Sequence, residues 1–575
     1  MCPTCGFTLH LTLGRAQPSK ARARQKRAGA AAAAYDGPVQ FTDNPTFARL
    51  EATYAAYLEA WGAWMVGHHA GTTPERDAEL AAALVVARRA VAAELAAEAW
   101  DRLSSADRAA LDNIRAALPD LDAWAAPLDG LAFTDARAAG GPEAPARDRE
   151  SHGEPTDIAT LRRVTFDAWG AAMADLEVGD ERLDRLTVSA HLAREEDPDA
   201  RRRLFLTMEP AWRVLNGEDE PDSPYRRLVR SSAARWSGEG SPIEANAAAL
   251  GMDPRDVEPT IRRILAAFRT VALGQALVEP WDFRYVVGGL ARRLDAAIPV
   301  DRLRAINDAH LRSLGADPAD LHIHYDIHPR PDRPVIPTAF TVPSDIARQV
   351  ADGTWIPATP WVFATYAEGG IGNLEELLHE GGHALHYAAL RARPAHFSWP
   401  PDQTAFVEAV ADVVGWSAHE PVFLREHLGV EVSARESVVA RYGSVMLDAA
   451  WTLFELELHR RPDRSPNQVW AEIAERDLGV RGHPEWSWWA GRGQLIDGPG
   501  YLANYALGAV MVAAVRGRTR DLRGDWSRGD PGWYGFLSEA LLRFAGARTP
   551  RDILGDFLGG PLTADALLAD IERAG

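Results

Sequence analysis

Cysteine and lysine are almost absent from this chain of 575 residues. The only cysteines are Cys2 and Cys5, so no disulfide framework can hold the fold, and a reducing, cytoplasmic compartment is expected. Lysine occurs only at Lys20 and Lys26, while acidic residues outnumber basic ones by 81 to 62. Phosphate binding depends on clustered lysine and arginine, so the net charge of −19 predicts that the protein has no nucleic-acid partner.

The chain also lacks any uninterrupted apolar run of the roughly 20 residues that a membrane span requires. We therefore expect no membrane partner. Residues 1–35 combine the cysteine pair with a basic stretch and polyalanine, and the charge follows the apolar segment, whereas a secretory signal places it first. We predict that this segment is a disordered tail or the result of a misassigned start codon. A single Cys-x-x-Cys pair does not predict a structural metal.

Helix-forming residues dominate the remainder, whose composition is that of a globular protein. Apolar positions recur at i, i+3 and i+4 between residues 42 and 128, and again from 157 to 216. A Gly/Pro-rich stretch near 136–155 indicates a loop between them. We predict a mostly α-helical protein, with a helical N-terminal half over 36–320 and a second half over 321–575.

Two short segments of the second half have strand character. Residues 321–340 alternate in polarity, and TPWVFATY at 359–366 ends just before a Glu-Gly-Gly loop. Together they predict a small β-sheet. We expect the second strand to present a free edge, with which a bound peptide could pair.

The segment His379-Glu380-Gly381-Gly382-His383 has the pattern H-E-x-x-H. Two histidines at i and i+4 lie on one helix face and can bind one metal ion, while the glutamate between them can take a proton from a water on that ion. This pattern is typical of zinc metallopeptidases, and it predicts one Zn²⁺, although Mn²⁺ or Co²⁺ also suits two nitrogens and one oxygen.

A helix around this motif is predicted from its flanks. Asn373 can cap the N-terminus, with Glu376 three positions on as in a capping box. Gly381 and Gly382 oppose a helix, since each costs about 0.5–1 kcal/mol relative to alanine. We expect that they leave room for a substrate or for a second backbone beside the metal.

A third metal ligand must come from further along the chain. The metzincin pattern requires glycine at 386 and histidine at 389, but the sequence has His386 and Ala389. Glu408, 25 positions after His383 on a proline-free apolar stretch, can supply a carboxylate instead. Asp412 lies one turn later and can accept the free ring N–H of a ligating histidine.

HEGGHALH followed by this glutamate resembles the thimet oligopeptidase and oligoendopeptidase F family of zinc peptidases, and more distantly the angiotensin-converting-enzyme-like dipeptidases. GPGYLANYALGAVM is similar to the tyrosine-bearing helix that those families place across the active-site cleft. The resemblance implies a large helical body divided by a deep cleft. It also implies that Tyr501 or Tyr505 stabilises the oxyanion and that His386 is a buried neighbour of the site, not a ligand.

The sequence departs from the family at two points. Position 381 is usually bulky but is glycine here, and the histidine usual before the tyrosines is missing from 491–500, with His483 the nearest. We predict zinc-dependent hydrolysis of short peptides. Because of these departures, the alternative is a zinc enzyme of the same fold that acts on a peptide-like amide metabolite. A non-catalytic peptide-binding protein is a further rival, which metal analysis would test.

Overall fold

The structure is a computed structural model that describes residues 41–97, 100, 102–118, 158–238, 240–331, 333, 335–336, 338–398 and 404–575. The predictions for the tail over 1–35 and for the loop near 136–155 lie outside the described residues. The division at residue 320 stays a prediction. Within the described residues the fold is mostly α-helical with small sheets, which confirms the predicted fold class.

In the described part of the chain, thirteen helices precede the main sheet. Their bounds are α1 Pro45–Ala70, α2 Pro74–Ala97, α3 105–118, α4 Ile158–Ala174, α5 Arg185–Arg194, α6 Pro198–Leu206, α7 Glu209–Asn216, α8 Pro224–Arg235, α9 Pro242–Ala249, α10 Val257–Ala272, α11 Pro280–Val287, α12 Gly289–Leu294 and α13 Leu303–Ser313.

Ten more helices follow the sheet. They are α14 Ile371–Ala389, α15 Thr404–Gly415, α16 Pro421–Phe423, α17 Ala434–Arg460, α18 Pro466–Ile473, α19 Gln494–Asp497, α20 Ala503–Arg523, α21 Trp533–Leu537, α22 Pro550–Leu558 and α23 Asp565–Glu572. None of the described helices is both long enough and apolar enough to cross a membrane.

The strands form three small sheets. Their bounds are β1 Leu176–Val178, β2 Glu181–Leu183, β3 His324–Asp326, β4 Phe340–Pro343, β5 Arg348–Gln349, β6 Trp355–Ile356 and β7 Pro360–Phe363. β1 pairs with β2 and β5 with β6, while the main sheet has the order β3-β7-β4. β7 is parallel to β3 and antiparallel to β4. Both edges of β7 are therefore paired, so the prediction that this strand has a free edge was wrong.

Helices α1–α3 share an apolar cluster with much later parts of the chain. Phe47, Tyr54 and Trp61 of α1 pack in a core that also contains Phe363 and Phe397. A buried ion-pair network reinforces this contact. Arg393 donates to both carboxylate oxygens of Glu51, at 2.7 and 2.8 Å, and to Asp107 at 3.2 Å.

A second, larger apolar core extends from Leu161 to Ile571. Its centre is formed by α14, α15, α17 and α20, which carry mostly alanine, valine and leucine on their buried faces. α15 packs between α14 and α20. The residues of the H-E-x-x-H motif on α14 and Glu408 on α15 therefore lie on adjacent, well-buried helices.

Candidate metal centre

The helix that carries the H-E-x-x-H motif begins at Ile371, after Gly370. Gly370 has φ +97°, and a β-carbon there would approach Asp295 Oδ1 to 2.8 Å, so this turn requires glycine. The prediction that Asn373 is the N-cap was wrong. Asn373 instead lies inside the first turn, and its amide donates to the carbonyl oxygen of Glu368 at 2.9 Å.

The two glycines of the motif are explained by close packing. A β-carbon at Gly382 would lie 2.4 Å from the carbonyl oxygen of Ala411, so the backbone of α15 rests directly on α14. At Gly381 a β-carbon would lie 3.2 Å from Asn307 Oδ1, on α13. The expectation that a second backbone occupies this room holds at Gly382. Gly381 likewise faces a packed helix.

This packing brings a carboxylate to the two motif histidines. Oε2 of Glu408 lies 3.5 Å from Nε2 of His379 and 4.0 Å from Nε2 of His383. One ligand atom from each of His379, Glu380 and His383 also lies within 4.8 Å of the others, a group able to hold a metal ion. Both imidazoles are about seven-eighths buried.

The residues fit a metal ion of the zinc type. Ligand atoms at about 2.0–2.2 Å from a tetrahedral ion are separated from one another by about 3.3–3.6 Å, close to the observed distances. Nε2 of His379 is buried, and within the described part of the chain it has only the distant contact with Glu408 Oε2 at 3.5 Å, which would be costly unless a ligand satisfies it. Two nitrogens and one carboxylate oxygen form a donor set that suits zinc.

Asp412 orients His379 from the other side of its ring. Its Oδ1 lies 2.6 Å from Nδ1 of His379, a contact that leaves Nε2 directed at Glu408. Burial alone would lower the pKa of His379, but the charge and hydrogen bond of Asp412, with a contribution from Glu408, raise that pKa to about 10. Burial and the neighbouring His379 lower the pKa of His383 to about 3.

Glu380 is held by a residue that the sequence analysis did not identify. The hydroxyl of Thr341, on β4, donates to Oε2 of Glu380 at 2.6 Å and also lies 3.0 Å from its carbonyl oxygen. Burial raises the pKa of the Glu380 carboxyl, while His379 and the Thr341 hydrogen bond oppose the rise. Only strand pairing brings Thr341 here, so no local pattern could have indicated it.

His386 lies one turn beyond His383 and away from the group of possible ligands. Its ring is buried and lies 6.4 Å from that of Phe406, centre to centre. Burial lowers its pKa to about 4, so the imidazole is neutral near pH 7. His386 therefore packs in the core between α14 and α15, consistent with a supporting position.

Tyr501 precedes α20, and Tyr505 lies in its first turn. Their rings contact each other edge to face, with centres 5.9 Å apart. Both rings are partly exposed. A β-carbon at Gly508, one turn after Tyr505, would lie 3.7 Å from Ala409 Cβ, so this end of α20 lies beside the helix that carries Glu408.

Arginine occupies the segment where the family usually has a histidine. The guanidinium of Arg492 lies 5.3 Å from the ring centre of Tyr505 and forms a 3.3 Å ion pair with Asp448. Arg284 lies in the same charged cluster, where burial and Arg492 lower its pKa. His483 instead binds Glu279 and Glu485, each at 2.8 Å.

Comparison of folds identifies peptidases as structural neighbours. Trypanosoma cruzi metallocarboxypeptidase 1 is 14% identical with a TM-score of 0.53, and the match covers 92% of this chain and 99% of that one. The M32 carboxypeptidase of Deinococcus radiodurans gives the same identity, TM-score and coverage of this chain, with 98% of its own chain covered. A protein described as an oligoendopeptidase F is 16% identical with a TM-score of 0.50, over 94% and 98% of the two chains.

The protein therefore has the fold shared by M32 metallocarboxypeptidases and oligoendopeptidase F-like proteins. At this level of identity the likeness shows the fold. No protein-family model matches the sequence, and no curated relative is detected.

Proposed function

We propose that the protein is a zinc-dependent metallopeptidase that hydrolyses short peptides, with His379, His383 and Glu408 as the metal ligands. The observation that carries this proposal is the position of Glu408 Oε2, which lies 3.5 and 4.0 Å from the two Nε2 atoms. Asp412 fixes the ring of His379 in the orientation that ligation requires. The fold shared with known metallopeptidases supports the same function.

Glu380 is the proposed general base. A divalent ion bound by the three ligands would supply the Lewis acid that polarises the scissile carbonyl and acidifies water. Glu380 then accepts the proton of the attacking water and delivers it to the leaving amine nitrogen. Burial raises the pKa of this carboxyl above its usual value, which makes it a stronger base for the first step. Thr341 holds the carboxylate in one orientation.

The substrate backbone is proposed to lie along β4. This strand is at the edge of the main sheet, and the hydroxyl of Thr341 contacts Glu380, so β4 lies beside the proposed base. Helix α1 packs against the backbone at the Pro343 end of β4. A peptide that pairs with this edge would present its carbonyl to the metal without much selection of side chains. Tyr501 or Tyr505 would donate a hydrogen bond to the oxyanion.

Carboxypeptidase action is the form of peptidase activity that the arginines favour. Arg492 lies beside Tyr505 and pairs with Asp448, and Arg284 lies in the same cluster, so this part of the site concentrates positive charge. A substrate's C-terminal carboxylate would neutralise it. The structural neighbours from Trypanosoma cruzi and Deinococcus radiodurans are carboxypeptidases. Glycine at position 381 was one of two departures from the family that favoured an enzyme acting on an amide metabolite. Because this glycine packs against α13, it no longer supports that alternative.

The test is hydrolysis of a mixed peptide library, read by mass spectrometry, for the zinc-loaded wild type and for Glu380→Gln. We expect cleavage by the wild type and a loss of about 10²–10⁴-fold in the variant, with zinc content unchanged. Glu368→Gln, an exposed carboxylate before the helix, is the matched control and should retain full activity.

The same library with free and amidated C-termini separates the two modes of cleavage. If single C-terminal residues are removed only from peptides with a free C-terminal carboxylate, the protein is a carboxypeptidase. In that case Arg492→Gln should raise KM for these peptides. Equal cleavage of amidated peptides would establish an endopeptidase. If the protein holds stoichiometric zinc but cleaves no peptide, the peptidase proposal is rejected. The alternative, a zinc enzyme that acts on a peptide-like amide metabolite, is then favoured.

A further inference from the structure

An open cavity lies at the far end of α20 from the tyrosines. Its volume is about 870 Å³, and it is lined by the chain around Glu420, the start of α17, the C-terminal half of α20 and helix α23. Tyr505 and Gly517 of α20 are separated by about 18 Å along the helix axis, at 1.5 Å per residue. None of the proposed ligands, the base or the tyrosines lines this cavity.

Arginine is the most frequent residue type among those that line the cavity. Among the described residues, six arginines line it: Arg425, Arg441, Arg518, Arg520, Arg528 and Arg573. Five carboxylates line it as well: Glu420, Asp521, Asp525, Asp565 and Asp570. Arg528 and Arg573 are paired with Asp525 and Asp570. Arg425 and Arg520 are exposed and form no salt bridge with any residue that the structure describes. These two guanidinium groups are therefore available to a ligand.

Arg441 is the buried member of this set. Its side chain is only 8% exposed, and its Nε has no hydrogen-bond partner in the described chain. The nearest carboxylate oxygens, from Glu420 and Asp570, are each 3.8 Å away, beyond hydrogen-bond distance. Another guanidinium nitrogen of Arg441 donates to the hydroxyl of Ser437 at 3.3 Å, so the chain satisfies only part of the donor set of this buried side chain.

The carboxylates beside Arg441 are already engaged by other groups. Glu420 forms a 2.5 Å ion pair with Arg516, and Asp570 accepts from the hydroxyl of Tyr442 at 3.0 Å as well as from Arg573. Three guanidinium groups therefore share two carboxylates. Arg441, on the cavity wall, therefore shares both of its neighbouring carboxylates with other guanidinium groups.

We propose that this cavity is a second binding site, distinct from the metal centre, for a small hydrophilic anion that carries two or more negative charges on oxygen. Phosphate and carboxylate groups both match the planar donor pattern of arginine. The volume is in the range of small-molecule sites and exceeds that needed for a single inorganic ion. None of the described lining residues is aromatic, so the site offers no surface on which a nucleobase could stack. An organic phosphate or a polycarboxylate is the occupant that these groups fit.

The experiment is isothermal titration calorimetry of the full-length, zinc-loaded protein with three probes: inorganic phosphate, a hexose monophosphate and tricarballylate. Each is titrated into the wild type, Arg441→Gln, Arg520→Gln and Arg551→Gln. Arg551 is an exposed arginine outside the cavity and serves as the control. Zinc content is measured after each titration, so that extraction of the metal is not mistaken for binding.

We expect at least one organic probe to bind the wild type and Arg551→Gln equally, and to bind each cavity variant about tenfold more weakly, as for the loss of one charge-assisted contact. The preferred organic probe identifies the class as phosphate or polycarboxylate. Equal affinity in all four proteins, binding of inorganic phosphate alone, or no binding of any probe would overturn the proposal. If Arg441→Gln does not fold, Arg520→Gln and Arg425→Gln decide the outcome. The result does not depend on peptidase activity.

Discussion

The backbone of Gly382 rests on that of Ala411, so closely that a β-carbon at position 382 would lie 2.4 Å from the Ala411 carbonyl oxygen. Since α14 carries His379 and His383 and α15 carries Glu408, this contact sets the separation of the three proposed ligands. Any larger residue at 382 would push the two helices apart, and backbone atoms cannot yield as a flexible side chain can.

We expect Gly382→Ala to destabilise the protein by about 1–3 kcal/mol, because overpacking outweighs the gain in helix propensity. Zinc affinity should fall as well, since Glu408 would move away from the histidines. Denaturant unfolding and metal titration measure the two effects. Gly372→Ala is the matched control on the same helix, where a β-carbon meets nothing within 4 Å, and it should raise stability by about 0.5–1 kcal/mol. Equal behaviour of the two variants would contradict the packing argument.

Asp412→Asn should weaken zinc binding by about 10–100-fold, because the amide keeps the shape of the side chain but loses the charge that orients and polarises His379. The loss should appear in competition with a chromophoric chelator, and excess zinc should restore much of the activity. Asp43→Asn, an exposed carboxylate on the chain before α1, is the control. Unchanged zinc affinity would show that Asp412 has no such role.

Glu455 gives the protein a predicted pH dependence of stability. The N–H of Gly500 donates to Glu455 Oε1 at 2.8 Å, yet burial raises the pKa of this carboxyl from 4.5 to about 8. Between these two pKa values the unfolded chain has lost the proton that the folded protein still holds. The folded state therefore binds more protons, so the contribution of Glu455 to stability falls as the pH rises from about 4.5 to 8.

The isosteric variant Glu455→Gln removes this proton while its amide oxygen can still accept from Gly500. We expect the free energy of unfolding of the variant, relative to that of the wild type, to increase by roughly 2–4 kcal/mol between pH 5 and 8. Urea unfolding of both proteins at the two pH values measures the difference. A gap between the two proteins that is the same at both pH values would refute the assignment.

Tyr501→Phe and Tyr505→Phe should show which of the two tyrosines stabilises the oxyanion. The variant that lacks the donating hydroxyl should lose about 10²–10³-fold in kcat with little change in KM, because the hydrogen bond forms as negative charge develops. The other variant should stay close to wild type. Steady-state kinetics on the best library peptide measure both parameters. If both variants keep full kcat, the oxyanion is stabilised by other groups.

The chemical motif was predictable from the sequence, because its residues lie at fixed spacings on single helices. His379, Glu380 and His383 share one helix face, and a proline-free apolar run places Glu408 on the next helix. Neither inference needed knowledge of distant contacts. The same local reasoning predicted the two strand segments that became β3 and β7.

The errors concern features that distant residues determine. The N-terminus of α14 was assigned to Asn373 from a local pattern, but the structure starts it at Ile371, where Gly370 N–H donates to the carbonyl of Ile298 at 2.8 Å. Likewise, β7 lost its expected free edge because β3 and β4 pair on its two sides. Pairings of this kind depend on loop closure over many residues, for which a single sequence carries little signal.

The shared core of α1–α3 has a consequence for synthesis on the ribosome. Asn113 donates to the carbonyl oxygen of Ala395 across 282 residues of sequence, and Arg393 reaches Glu51 across 342. The first three helices therefore emerge long before the residues that cover their apolar faces. Until translation has passed residue 545, part of this nascent surface is exposed to aggregation, and chaperones that shield apolar segments should increase the yield of native protein.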